Sequence, residues 1–436
     1  TDWQAVVVAD GSTQLTAVAG RGYFLDTNTG VIEVFLPASP SRGDTIFLAD
    51  YGGNFATNNV LVNTGGQLID STATGGHAGI DYKLDTNNLV VELVYVDSSK
   101  GWQIIENEAK SGLSTADDTN AAYIEATGGT VLTSGNFKTH VFTGDGNFVV
   151  AGVGNSAGGG SNVEYLVIAG GGAGGTSEGG SAGGGGAGGF RSFISCSPNP
   201  LNAPAGLPVS VGTIPVTVGG GGASESHNGP IQQGNDSVFS TITSAKGGAG
   251  RPGQGTVCSV PCFGTVPKMN GGSGGGGSGN APGSPGAVGG TGNTPPVSPA
   301  QGTNGGAGHT NAGNRAGGGG GGAAAAGQAG SNPNNAGDGG AGSFTPTAFW
   351  GPTSGCYGEP GPAGRYFAGG GGAQRQDQPE GSVGSGGLGG GGDGGNPAGV
   401  AGTANTGSGG GAGHHNCIGS GTGGKGIVAI RYQFQG

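Results

Sequence analysis

Glycine supplies 112 of the 436 residues and is unevenly spread: residues 1–150 hold 19, and the remaining 286 residues hold 93. A tract of that composition has too few side chains for an ordinary apolar core, and glycine loses more conformational freedom on folding than any other residue. Its order, if it has any, must come from hydrogen bonds between backbone groups.

Three features predict order. β-patterned segments bracket the tract, 163–169 on one side and 426–434 on the other, and both read as strands able to pair. Further strand-like segments interrupt it at 190–194, 214–218 and 238–243, each adjoining a glycine run such as 219–222 or 247–250. The charges of residues 151–436 balance, nine acidic against nine basic, whereas disordered chains favour net charge.

The predicted conformation is a bundle of polyglycine II helices. Such a helix has three residues per turn, rises about 3.1 Å per residue and forms no internal hydrogen bonds, so every N–H and C=O must find a partner on a neighbouring helix. Only glycine permits close approach on all sides. A run such as 317–322 would span about 19 Å at that rise. Collagen is the rival, since 283–289 and 358–364 carry glycine at every third position, but the period breaks within a few triplets.

Composition excludes several classes. The most apolar segment, 89–96, is eight residues long and contains Glu92, far short of a membrane span, so no membrane insertion is expected. The net charge of −11 sits mostly in the first 110 residues, with thirteen acidic against five basic side chains, which argues against a nucleic-acid partner. All five cysteines lie beyond residue 195. Cys258 and Cys262 are spaced to close a small loop, whereas Cys196, Cys356 and Cys417 have no assignable partners; loop disulfides in an extracellular particle are the expected use, with free thiols the alternative.

Residues 1–108 read as an all-β domain, with short strands at 5–9, 22–25, 31–36, 45–49, 60–63, 89–96 and 102–105 separated by Asn, Gly, Asp and Pro turns. Around 31–37 the apolar residues crowd both faces, which predicts burial on both sides. Trp3 and Trp102 are expected to pack in the core or at a trimer interface. Residues 109–118 form a polar connector, and a second domain starts near 119, with strands at 127–132, 138–143 and 147–152 leading into the glycine tract.

The ordered series of strand motifs carries a family likeness. Arg21-Gly-Tyr-Phe-Leu-Asp26, the segment from Glu33 to Asp44, Ala49-Asp-Tyr51, Leu93-Val-Tyr-Val-Asp97 and Lys100-Gly-Trp102 resemble a module of marine bacteriophage tail-fibre proteins. His140-Val-Phe-Thr143, the segment from Val163 to Gly172, Gly188-Gly-Phe-Arg191, Val216-Thr-Val-Gly219 and the closing Gly426-Ile-Val-Ala-Ile-Arg-Tyr432 resemble the glycine-rich domain of the same proteins. The resemblance implies a virion fibre or fibre-tip protein, commonly a homotrimer, whose polyglycine II bundle presents receptor-binding loops. The cysteines and the Pro-rich inserts at 195–208 and 251–304 depart from that pattern.

Candidate chemistry is sparse. No phosphate-cradle motif Gly-x-x-x-x-Gly-Lys-Ser/Thr occurs, and Gly-x-Gly-x-x-Gly matches are inevitable at this composition. His414-His415-Asn416-Cys417 offers imidazole and thiolate, but adjacent histidines rarely reach one ion, so an exposed loop is preferred to a metal site and no cofactor is expected. The richest aromatic segment, 344–367, contains Phe349, Trp350, Tyr357, Arg365, Tyr366 and Phe367. It reads either as receptor-contact surface, because aromatics and arginine dominate binding hot spots, or as a cap over the open end of the bundle. The polar insertions 176–181, 227–233, 374–380 and 414–417 add His227, Arg375, His414 and His415 as receptor-binding candidates. If the strand ending at Ala169 points away from the first domain, 176–181 lies at the far end and 195–213 nearer the shaft. Asp117-Asp118 in a polar connector does not suggest a glycosidase cleft, and no enzyme is expected.

The expectation is therefore an all-β, non-enzymatic adhesive component of a phage tail fibre: extracellular on the virion, partnered by other tail proteins and by a host-surface receptor, protein or glycan. A structural filament or surface subunit that polymerises through strand or glycine-helix pairing is the alternative.

Overall fold

The computed structural model describes residues 1–69, 81–104, 113–115, 121–155, 157–177, 180–195, 197–224, 232–253, 268–279, 288–311, 314–331, 334–376, 381–414 and 419–436. The chain divides into two compact units, Thr1–Ala121 and Ala122–Gly436. The all-β expectation holds in both: the regular elements are strands, with two short 3-10 turns at Thr347–Phe349 and Gly351–Cys356 and no α-helix among the described residues.

In the first unit the chain alternates between two sheets. Thr13–Thr16, Ile32–Phe35 and Val60–Asn63 pair in parallel in one, while Asp2–Trp3, Arg21–Asp26 and Thr45–Asp50 pair in parallel in the other. Antiparallel strands complete each sheet, Asp81–Leu84 and Leu113–Thr115 beside Val60–Asn63, and Val90–Asp97 and Gly101–Ile104 beside Thr45–Asp50. Alternation of side chains along each strand turns Leu25, Ile46, Leu48, Val91 and Leu93 of the Arg21–Asp26 sheet against Ile32, Val34, Val60, Val62 and Leu84 of the Thr13–Thr16 sheet. Trp102 is fully buried in this core, with its indole N–H donating to Gln67 Oε1 at 2.8 Å.

Trp3 takes the opposite fate, being 42% exposed and stacked on Phe24 at a centroid distance of 4.4 Å. Gly22 makes room for it, because a Cβ there would stand 2.6 Å from the indole. The core reading therefore fits Trp102 and not Trp3. Residues 113–115, expected within a connector, instead form an edge strand, Leu113 in register with Leu84.

The second unit begins as a sandwich. One sheet runs through Glu125–Thr127, Gly146–Gly152, Gly212–Thr217, Ser237–Phe239 and Ile242–Ser244; the expected strand at 238–243 is in fact this last hairpin, turned at Ser240 with φ 52°. The other contains Thr130–Ser134, Phe137–Phe142, Ile427–Gln433, Asn162–Ile168 and Phe190–Phe193. The two bracketing strands pair directly and antiparallel, Tyr165 opposite Ile430 and Val167 opposite Val428.

Both faces of that pair are covered. Val163, Tyr165, Val167, Val428 and Ile430 meet Phe148, Val216 and Phe239 of the first sheet, while Leu166, Ile168, Ile427 and Ala429 meet Phe349, Trp350 and Phe367. Double-sided burial is why these strands read as continuous apolar runs rather than alternating ones.

Beyond the sheets the strands continue as glycine runs whose hydrogen bonds repeat every third residue. Gly170 and Ala173 donate to Asn235 and Gln232, Gly171 and Gly174 to Gly424 and Gly421, and Gly172 and Gly175 to Gly186 and Gly183. The carbonyls of the same run accept from Gly222, from Gly247 and Gly250, and from Gly410 and Gly413. Segment 169–175 is thus bonded to six neighbouring segments. Segment 182–189 is surrounded in the same way, donating to 245–251, 318–321 and 407–410 and accepting from 172–175, 273–276 and 371–374.

Side chains are excluded from this lattice by geometry: a Cβ on Gly185 would collide with the carbonyl oxygen of Gly172, one on Gly320 with that of Gly185, and one on Gly371 with that of Gly410. Where a run leaves a sheet, serines take over the bonding, Ser237 Oγ donating to Ile168 O at 2.8 Å and Ser244 Oγ to Val167 O at 2.6 Å.

Candidate contact surface at the run ends

The glycine runs, some parallel and some antiparallel to one another, share two ends, and the connections differ between them. At the sheet end Ala169 bonds Gly189, Gly189 bonds Ala245, Gly188 bonds Gly407 and Gly426 bonds Gly219. At the other end Gly175 bonds Gly183 and Gly413, Gly253 bonds Thr176, Gly279 bonds Ser181 Oγ, and Thr176–Ser177 pairs in parallel with Gly413–His414. The hairpin His309–Asn311 with Asn314–Ala316 and the bridge from Ala316 to Arg375 lie there too. The described residues flanking 178–179, 225–231, 254–267, 280–287, 312–313, 377–380 and 415–418 all lie at this end. Segment 197–209 lies at the sheet end, where Leu207 pairs with Val163.

This geometry separates the ten candidate residues. Arg375 and His414 lie at the loop-bearing end. Arg375 is half-buried, its guanidinium donating to Gln376 O at 3.1 Å. His414 is 8% exposed, its backbone N–H bonded to Pro397 O at 2.6 Å. His227 and His415 lie outside the described residues, as do Cys196, Cys258, Cys262 and Cys417. Cys356 is described and carries an exposed free thiol. No group of three metal-ligating side chains occurs among the described residues.

The remaining six candidates are at the sheet end. Phe349, Trp350 and Phe367 are at most 1% exposed and pack on the sheet, Trp350 edge-on to Phe349 at 5.1 Å and tilted on Phe367 at 5.6 Å. The Trp350 indole N–H donates to Thr345 Oγ1 at 2.8 Å. Arg365 is buried with its Nε donating to Tyr357 O at 2.6 Å and its terminal nitrogen to Gly358 O. Tyr357 stacks on Trp350 at 5.0 Å, and burial raises its hydroxyl pKa above the ordinary value. Tyr366 leans on Phe344 at 5.7 Å. Of the two readings of segment 344–367, this burial describes a cover, laid over a sheet face rather than over the ends of the runs.

One solvent cavity of about 320 Å³ also lies at the sheet end, lined by Phe137, Glu164, Phe193, Ser195 and Arg431 among others. Its charged groups already satisfy each other: Arg431 meets Glu164 at 2.9 Å and lies 3.9 Å from the Phe137 ring centroid, and Ser195 N–H donates to Glu164.

Residues that sequence reasoning passed over are Arg315 and Ser278, polar side chains at the loop-bearing end. The signal available for them was polar substitution inside or beside a glycine run.

No curated protein matches the chain. A family model described as a glycine-rich domain matches residues 155–433, which spans the lattice together with the strands that frame it. On that match, covering more than half of the sequence, the chain belongs to the glycine-rich domain family.

Proposed function

We propose that this chain is a structural and adhesive component of a bacteriophage tail fibre, located on the virion, whose second unit holds receptor-binding loops on a rigid support. The observation that carries the reading is that the described residues flanking the polar insertions gather at one end of a hydrogen-bonded array of glycine runs. A rigid support lowers the ordering cost that loops pay when they bind. The three-residue bonding period and the six neighbours of each central run support polyglycine II helices as the conformation of that array.

In the first unit the outer sheet face offers Trp3, Phe24, Phe47 and Tyr51 to a surface, with Trp3 6.0 Å from Phe47 and Phe24 6.5 Å from Tyr51. Exposed apolar faces of this kind mark association surfaces, and here the partner is a second copy of the chain in a homotrimer. Arg375 and His414 are the candidate contact residues described at this end.

The test is attachment. Fluorescently labelled chain is incubated with a panel of marine bacteria, alongside a variant in which 377–380 and 415–418 are replaced by Gly-Ser. Saturable labelling of one strain, lost in the variant, is the expected result. Labelling of no strain, or equal labelling by both proteins, overturns the adhesive reading.

A further inference from the structure

The cavity of about 320 Å³ opens where strands of the central sheet reach its edge away from the glycine runs: Phe137 and Asn162 each begin a strand, Arg431 to Gln433 end another, and Phe193 and Ser195 lie at the end of a fourth. The glycine runs leave the same sheet from its opposite edge, after Ile168 and before Ile427. Small-molecule pockets run from about 300 to 1,000 Å³. This one is at the lower end of that range and admits a ligand the size of a single sugar ring.

Two charged side chains line it, Glu164 and Arg431, and 12% and 13% of their side-chain surfaces remain open to solvent. Their pairing leaves valences over. Each Glu164 oxygen accepts one hydrogen bond, Oε1 from Ser195 N–H and Oε2 from Arg431 Nη1, and keeps a second lone pair. Arg431 Nε and Nη2 have no hydrogen-bond partner among the described residues and are not enclosed. The bond to Glu164 and the stacking on Phe137 at 3.9 Å hold the guanidinium in place before a ligand arrives. Burial raises the Glu164 pKa, and Arg431 and the Ser195 N–H, which lower it, do not offset that effect. A carboxylate so placed gains from further donors.

The two charges cancel, which selects the class of ligand. An anion brought to Arg431 would be repelled by Glu164, and a cation brought to Glu164 would be repelled by Arg431. Neutral hydroxyls meet neither repulsion. Of two neighbouring hydroxyls, one can accept from Arg431 while the other donates to Glu164. The half-buried rings of Phe137 and Phe193 supply apolar wall for the C–H groups of the ring that carries them. We propose that this cavity binds one ring of a neutral saccharide, with Glu164 and Arg431 on adjacent hydroxyls. The inference goes beyond the adhesive reading and does not rest on it, because the cavity lies away from the loop-bearing end.

The test uses saturation-transfer NMR on the intact chain with the methyl glycosides of glucose, galactose, mannose and N-acetylglucosamine as neutral probes, and those of glucuronic acid and glucosamine as charged ones. At least one neutral glycoside is expected to receive saturation, and more strongly than either charged probe. Ser195→Trp, which puts a bulky ring at an exposed position on the cavity lining, is expected to abolish the transfer. Glu164→Gln, which keeps the shape of the side chain and removes an acceptor and the charge, is expected to weaken binding about tenfold, equivalent to about 1.4 kcal/mol. If Glu164→Gln fails to fold because Arg431 loses its partner, Ser195→Trp decides alone. Transfer to none of the neutral glycosides, unchanged transfer in a folded variant, or preference for a charged probe overturns the site.

Discussion

At Gly185 a backbone N–H donates to Gly410 O while the position of a missing Cβ points at the carbonyl of Gly172. A single methyl there must push one run away from another and strain the bonds of both. Gly185→Ala is expected to lower stability by about 1–3 kcal/mol, the range of an overpacked interior, read as a fall in thermal midpoint. Gly355 has nothing within 4 Å of its Cβ position, and Gly355→Ala is expected to leave the midpoint in place. Equal effects at the two sites would mean that the runs tolerate side chains. His140 gives a second handle. It is fully buried against Tyr432 and Phe148, with Nδ1 2.7 Å from Gly128 O, and burial is the main cause that holds its pKa below the ordinary 6.5. The folded state therefore resists protonation that the unfolded chain accepts. Stability is unaffected by this group above pH 6.5 and is lost as pH falls from there towards the folded pKa. Denaturation midpoints measured across pH 5–7 should show that slope, and His140→Gln should flatten it; an unchanged slope would assign the acid sensitivity elsewhere.

The elements differ in how far the sequence foretells them. Strands buried on both faces, Asn162–Ile168 and Ile427–Gln433, announce themselves as apolar runs, and their direct pairing follows from their bracketing the tract. Strands with weak patterns do not: Thr13–Thr16 and Asp81–Leu84 take their place through parallel and antiparallel partners far away in sequence, Thr13 opposite Ile32 and Leu84 opposite Val60. Segment 344–367 looked equally fit for a surface or a cover, because composition cannot say which side an aromatic ring faces; Trp350 is settled only by its neighbours Val141, Ile168 and Ala429 across the sheet. The glycine runs were legible as runs, yet the six-neighbour pattern depends on their order in space. That pattern has a measurable consequence, because amides in 170–175 and 183–189 lie inside the array and open only with it. Hydrogen exchange at these amides is expected to be slower than in an unstructured peptide by about a thousandfold or more. Exchange at the unstructured rate throughout both segments would remove the array and the support it provides.

For the whole molecule, the decisive property is how copies associate. The charge of −11 keeps single chains apart in solution, so association needs a face where apolar burial outweighs repulsion. The outer face of the first unit's six-stranded sheet meets that need, with Trp3 42%, Tyr51 59% and Val90 49% exposed. If three copies close around this face, light scattering on the intact chain gives three times 41.1 kDa, independent of concentration above the dissociation range. Replacing Trp3 and Phe47 together by serine removes two adjoining rings from the face while leaving Leu25, Ile46 and Leu48 in the core, so the variant is expected to fold and run as a monomer. A ladder of masses growing with concentration would instead show an open, head-to-tail contact and favour a filament subunit over a fibre. A monomer in the unaltered chain would leave the aromatic face without a second copy to cover it, and the trimer would have to be abandoned even if the loop-bearing end still attaches to cells.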